Sequence, residues 1–238
     1  MAWIVAGGQH RGGRAEQQDR WAVQRRADGL LLMVADGMGG GHAGGRAAEL
    51  VIEQARAMPE DPNPEDRQQR LVALCHAAHA ALLEEAERQG ASMGSTLVAL
   101  WLGPDHRAWW VNVGASRLYQ WREGQMMFHT QAHRLDRLPG HGGAGAHQLY
   151  MCLGGKNPLA PDSGRLHWRR GDLFLLGSDG YWNQADQEQT GRRLMRSWRF
   201  SRRLEQLVEA AARRGGEGSD NVTLLAARAS RWPWGRFP

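Results

Sequence analysis

The chain has 238 residues and is poor in several things that would point to particular protein classes. It has two cysteines, Cys75 and Cys152, each among apolar neighbours. So few thiols exclude a disulfide framework and a cysteine-rich zinc site, and they suit a reducing compartment. Lysine is almost missing: Lys156 is the only one, so arginine supplies nearly all of the positive charge. Long apolar runs are missing too, since the longest, such as Leu30 to Ala35, are far too short to cross a bilayer. The start, Met1-Ala2-Trp3-Ile4-Val5, has no basic leader. A cytoplasmic protein that does not enter a membrane is the expectation. The arginines are scattered from Arg11 to Arg236, which argues against a nucleic-acid footprint.

Glycine is plentiful at 31 residues, tryptophan is unusual at 11, and the formal charge is +5. The length suits one large domain with a core that needs no covalent staple. We expect that domain to cover residues 1–228, with 229–238 as a short tail.

Patterning predicts strands at Trp3 to Ala6, Trp21 to Arg26 and Leu30 to Ala35, separated by Gly12-Gly13 and Asp28-Gly29. The period then becomes helical over 43–58. A second helix is predicted over 65–89, with Asn63 as cap, Pro64 at its first position and Gly90 as its stop. Four short strands, Thr96 to Leu102, Ala108 to Val113, Arg117 to Trp121 and Met126 to His129, read as one antiparallel meander. Residues 134–147 are rich in Gly and His and read as a mobile surface segment. Strands at Leu166 to Arg169, Leu173 to Leu176 and Val222 to Ala227 follow, with a helix over 203–214 near a cap at Ser201. Many strands and a few long amphipathic helices imply packed sheets covered by helices.

Three aspartates share a context. Asp36 and Asp179 each follow an apolar strand and precede glycine, and Asp220 sits in Ser219-Asp220-Asn221 just before one. Turn chemistry explains any one of them. Together they also suit an oxygen-only site for Mg²⁺ or Mn²⁺, where a cation offsets the repulsion between carboxylates. The residue pattern alone leaves both readings open.

The motifs go further. Asp36-Gly37-Met38-Gly39-Gly40-Gly41-His42-Ala43-Gly44, Gly94-Ser95-Thr96, Val113-Gly114-Ala115-Ser116-Arg117, Gly177-Ser178-Asp179-Gly180 and Ser219-Asp220-Asn221 occur in that order. The set resembles the signature of the 2C-type metal-dependent protein serine/threonine phosphatases. The resemblance implies an αββα sandwich of two antiparallel sheets between helices, with a two-metal centre of Mn²⁺ or Mg²⁺ at one end. It implies that Asp36 bridges both ions, that the Gly37 carbonyl binds the second, and that Asp179 and Asp220 complete the first. Arg14 would be the phosphate clamp and Asp19 an outer-shell acid. Such a centre activates a water for in-line attack on a phosphate monoester, with no cysteine or serine nucleophile. The implied partners are phosphoserine and phosphothreonine proteins of a Hanks-type kinase, with a link to type VI secretion, in whose gene clusters some such phosphatases sit.

Three positions depart from the family pattern. Gln18 replaces the first acid of the N-terminal pair and is expected to accept a hydrogen bond from a metal-bound water. Ala115 replaces an acid that would hold a third ion, so a third ion is not expected. Ala132 replaces the acid before His133, which is expected to be a hydrogen-bonded loop anchor. Met38 stands where some relatives carry a histidine, which leaves the general acid unassigned. These departures keep a second reading in play: a weak or inactive member that binds phosphoproteins as a regulatory module.

Overall fold

The computed structural model describes residues 3–59, 66–137 and 148–230. Two antiparallel sheets carry the fold. The first holds β1 (Trp3–His10), β7 (Arg117–Arg122), β8 (Gln125–His129), β10 (Leu173–Gly177) and β11 (Val222–Ala229), in the order β1-β11-β10-β7-β8. The second holds β2 (Asp19–Arg26), β3 (Gly29–Gly39), β5 (Leu97–Leu102), β6 (Arg107–Val113) and β9 (Asp162–His167), in the order β2-β3-β5-β6-β9, with the short β4 (Met93–Ser95) also paired to β3.

The side-chain alternation of β3 shows why the layers stack. Leu30, Leu32 and Val34 face a core shared with Phe174, Leu176 and Leu225 of the other sheet. Leu31, Met33 and Ala35 face the opposite way, into a core roofed by α1 (Ala43–Ala57) and α2 (Arg67–Gln89). A strand buried on both faces reads as a continuous apolar run, and this one does. A third core lies outside the first sheet, under α3 (Asp179–Trp182), α4 (Gln187–Arg196) and α5 (Phe200–Gly215). The molecule is an αββα sandwich, and both N-terminal helices lie on a sheet face as their single apolar stripes require.

Several local readings change. The four strands expected as one meander belong to two sheets: β5 and β6 pair in one, β7 and β8 in the other. The chain crosses between them at Gly114-Ala115-Ser116, where Gly114 has φ +94° and packs on Thr96. β9 ends at His167, earlier than expected, because Trp168 turns inward against Trp3 and donates its Nε1–H to the Gly103 carbonyl (3.1 Å). α5 begins at Phe200, so Ser201 lies inside its first turn and does not cap it; burial of Phe200 draws the helix start forward. The expected cap Asn63-Pro64 lies outside the described residues, as does most of the 134–147 segment and the tail from 231.

The helix α4 was not anticipated, and its buried face explains why. That face is Thr190, Gly191 and Leu194, with a single large apolar side chain among them. A Cβ at Gly191 would lie 2.3 Å from the Trp121 ring, so only glycine lets the helix approach the sheet so closely. Gly191→Ala is expected to destabilise the fold by about 1–3 kcal/mol through forced displacement of Trp121. A lowered denaturant midpoint at unchanged slope would show it.

Candidate active site

Asp36 lies inside β3 and not at its end. The strand pairs with β5 as far as Val34 and with β4 from Gly37, and Asp36 sits where it changes partner. The gap is braced by the Ser95-Thr96 pair. The Asp36 N–H donates to Thr96 Oγ1 (3.0 Å), and its carbonyl accepts from the Thr96 N–H (2.9 Å) and Ser95 Oγ (3.1 Å). Its side chain is therefore free of any duty to its own backbone. Gly37 follows under equal constraint: a Cβ there would meet the Gly44 carbonyl oxygen at 1.8 Å.

Across the ladder, Asp19 of β2 stands opposite Asp36. Asp19 is fully buried, and the Thr223 and Ser178 hydroxyls that adjoin its carboxylate stand outside ordinary hydrogen-bond geometry, so neither oxygen has a well-formed partner among the described residues. Burial pushes its pKa up to about 7, the hydroxyls of Thr223 and Ser178 oppose the shift, and the charges of Asp179 and Asp220 add to it. Burial also raises Asp36 well above the usual carboxylate range, reinforced by Asp19, Asp179 and Asp220 in turn. Asp179 opens α3 directly after β10, with Ser178 tied to β11 through the Thr223 N–H (3.0 Å to Ser178 Oγ). It is raised by burial and by the charge of Asp220, against the pull of Arg134. Three acids thus share a poorly solvated space in which full ionisation costs free energy.

Asp220 has a different neighbour. Arg14 donates Nε to its Oδ1 and Nη2 to its Oδ2, both at 2.8 Å, in an exposed bidentate pair. Among the described residues, no three carboxylate, imidazole or thiol groups are drawn round one point as a ready ligand shell. The acids adjoin, and one of them is held by arginine.

Does this set suit a divalent cation? Its donors are carboxylates and backbone carbonyls, the hard oxygens that Mg²⁺ and Mn²⁺ prefer. Two orphaned, buried carboxylate oxygens on Asp19 and the mutual repulsion of its neighbours are what a cation would relieve. The residues fit.

The surroundings assign roles that the motifs alone did not. Asn221 clamps the loop carrying Arg14: its Nδ2 donates to the Arg11 and Glu16 carbonyls (2.7 and 2.9 Å), and its Oδ1 accepts from the Gln18 N–H (2.7 Å). Asn221→Ala should cost about 1–3 kcal/mol of stability, because it strands buried backbone groups. A thermal melt checks the loss. Gln18 turns to the loop before α1, where its Nε2 donates to the Gly41 carbonyl (2.7 Å). An amide can supply that donor and a carboxylate cannot. Ala115 offers its carbonyl to Trp182 Nε1 (2.9 Å). His133 is the expected anchor: Nδ1 accepts from the Gly114 N–H (3.1 Å) and Nε2 faces Asp162 Oδ2 (3.1 Å). Cys75 is buried in α2 with its thiol pushed up to about 12 by burial alone, as suits a packing residue.

Comparison with known proteins places these residues in a family. The model of the family described as Protein phosphatase 2C matches residues 6–222. The chain belongs to that family. Among its relatives is the serine/threonine protein phosphatase PstP of Mycobacterium tuberculosis, 29% identical over an alignment 222 residues long that covers 88% of this chain and 42% of PstP. This 2C-family chain therefore spans less than half the length of that relative. Solved structures agree in fold. PppA, described as a key regulatory component of T6SS in Pseudomonas aeruginosa, matches with a TM-score of 0.81 and 28% identity, over 96% of this chain and 98% of that one. The catalytic domain of PstP in complex with two manganese ions matches with a TM-score of 0.78 and 29% identity, again over 96% and 98%.

Proposed function

We propose that this chain is a protein serine/threonine phosphatase that uses two Mn²⁺ or Mg²⁺ ions to hydrolyse phosphoserine and phosphothreonine. The observation that carries the reading is the buried, partnerless carboxyl of Asp19 beside Asp36 and Asp179, on the motifs that the family shares. Asp36, Asp179, Asp220 and the Gly37 carbonyl would hold the ions, with Asp19 behind them. When bound, the ions supply charge neutralisation and an activated water. The protein's own work is positional. The Ser95-Thr96 brace fixes Asp36, the Ser178 hydroxyl fixes the start of α3, and Asn221 fixes the loop of Arg14. Arg14 presents a two-donor fork, the edge that a phosphate monoester also takes. It would hold two phosphate oxygens and stabilise the charge spread over them as the ester bond breaks.

The substrates would be phosphoproteins made by a Hanks-type kinase in the cytoplasm. The likeness to PppA supports a connection to type VI secretion. A second reading, a phosphoprotein-binding module without turnover, is favoured by one observation: Arg14 and Asp220 satisfy each other as they stand. Steady-state release of phosphate from a phosphothreonine peptide, with Mn²⁺ and with a chelator, separates the two. Metal-dependent release supports the enzyme. Binding of peptide and metal without release would establish the module.

A further inference from the structure

One stretch of the chain concentrates arginine. Between Arg192 and Arg203, α4, the turn after it and the start of α5 carry six arginines in twelve residues. They line a groove of about 840 Å³ on the outer side of the first sheet, and none of the site aspartates lines it. Arg192 is paired with Glu188 (3.0 Å). Arg193, Arg196, Arg199, Arg202 and Arg203 are exposed, and none of the five has a carboxylate partner among the described residues. Trp198 stands among them at 74% exposure, with the Arg199 guanidinium 4.3 Å from its ring centre. A large exposed aromatic amid unpaired arginines is costly to leave uncovered and well suited to binding.

The groove has a measurable relation to the aspartates. Arg228, near the far end of β11, donates Nη1 to the carbonyls of Leu194, Met195 and Ser197 at 2.9, 3.0 and 2.9 Å. This ties the α4–α5 junction to the end of β11 opposite Asp220. Six residue steps along β11 lead from Val222 to Arg228, which at the usual rise is about 20 Å.

We propose that this groove docks an acidic segment of the phosphoprotein substrate, at a distance from the phosphorylated residue. The choice of a peptide over a nucleic acid rests on the phosphatase reading above. The groove's own carboxylates are engaged locally, Asp186 Oδ1 accepting from the Gln189 N–H (3.0 Å) and Glu188 pairing with Arg192 (3.0 Å), so the other five arginines are what an acidic run would meet. An extended chain covers about 3.3–3.6 Å per residue, so roughly six to eight residues bridge the two sites.

The test compares two phosphothreonine peptides, one carrying five glutamates eight residues from the phosphothreonine and one with serines in their place. KM for the acidic peptide should be lower by about tenfold at low salt, with kcat unchanged, and the advantage should fade as ionic strength rises. Combining Arg199→Ser, Arg202→Ser and Arg203→Ser should erase the difference, and Trp198→Ala alone should reduce it. Equal KM values in the unaltered protein would overturn the proposal. Fluorescence anisotropy of a labelled, unphosphorylated acidic peptide judges docking separately from turnover. If neither peptide is hydrolysed yet the acidic probe binds and the triple substitution abolishes binding, the groove stands and the phosphatase reading falls. A labelled oligonucleotide that binds where the acidic peptide does not would reassign the groove and overturn the proposal.

Discussion

Asp36→Asn should abolish phosphate release while leaving the fold intact. The substitution keeps the size of the side chain and removes the charge that two ions would share. Metal-assisted stabilisation amounts to several kcal/mol, so turnover should fall at least about a thousand-fold. The backbone at this point is held by Ser95 and Thr96, not by the Asp36 carboxyl, so the strand crossing should survive. In metal-free protein the variant should even be more stable. Asp36 is pushed well above the ordinary carboxylate range by burial and by three neighbouring acids, and an ionised group under that pressure opposes folding. For a domain of this size each kcal/mol recovered raises Tm by about 2–4 °C. Thermal melts in chelator and in Mn²⁺ should therefore cross over: the variant melts higher without metal, the unaltered protein higher with it.

Arg14→Ala should behave differently. Among the described residues the arginine pairs with Asp220 and no other acid, although the charges of Asp179 and Asp36 also raise its pKa. Its loss should leave metal binding in place or strengthen it, since Asp220 would no longer have a competing cation. Phosphate capture should weaken. A desolvated arginine–phosphate pair lost on truncation costs about 2–5 kcal/mol. Arg14 is more than half exposed, so the lower end applies: about 2–3 kcal/mol, or roughly 30- to 150-fold in kcat/KM. Calorimetric Mn²⁺ titration beside steady-state kinetics separates these effects. Weaker metal binding in Arg14→Ala would place the arginine in the metal site and not at the phosphate.

How far the sequence announced this molecule depends on the range of the interaction. β3 was legible because both of its faces are apolar, and α1 and α2 because each buries one stripe over several turns. α4 was not, since its buried face is Thr190, Gly191 and Leu194 and its contact with Trp121 depends on the absence of a side chain. The crossing at Gly114-Ala115-Ser116 looks like any hairpin turn, and only the long-range pairing of β7 with β10 reveals it. At the site, the aspartates and Arg14 could be named from local motifs. The bond from Arg14 to Asp220 spans 206 residues, and no local pattern encodes it. Asn221 was visible only as part of a motif, because its three bonds reach residues 11 to 18. The bond from the Gln18 amide Nε2 to the Gly41 carbonyl likewise joins two segments that no local pattern links, and it leaves the Gln18 Oε1 as an acceptor.

The most direct measurement is to titrate Mn²⁺ into metal-free protein while following phosphate release from a phosphothreonine peptide, with calorimetry counting the ions bound. The account predicts background release in chelator, a rise that saturates as two ions bind, and return to background when chelator is restored. Equal release with and without metal, or none at saturating Mn²⁺, would contradict it.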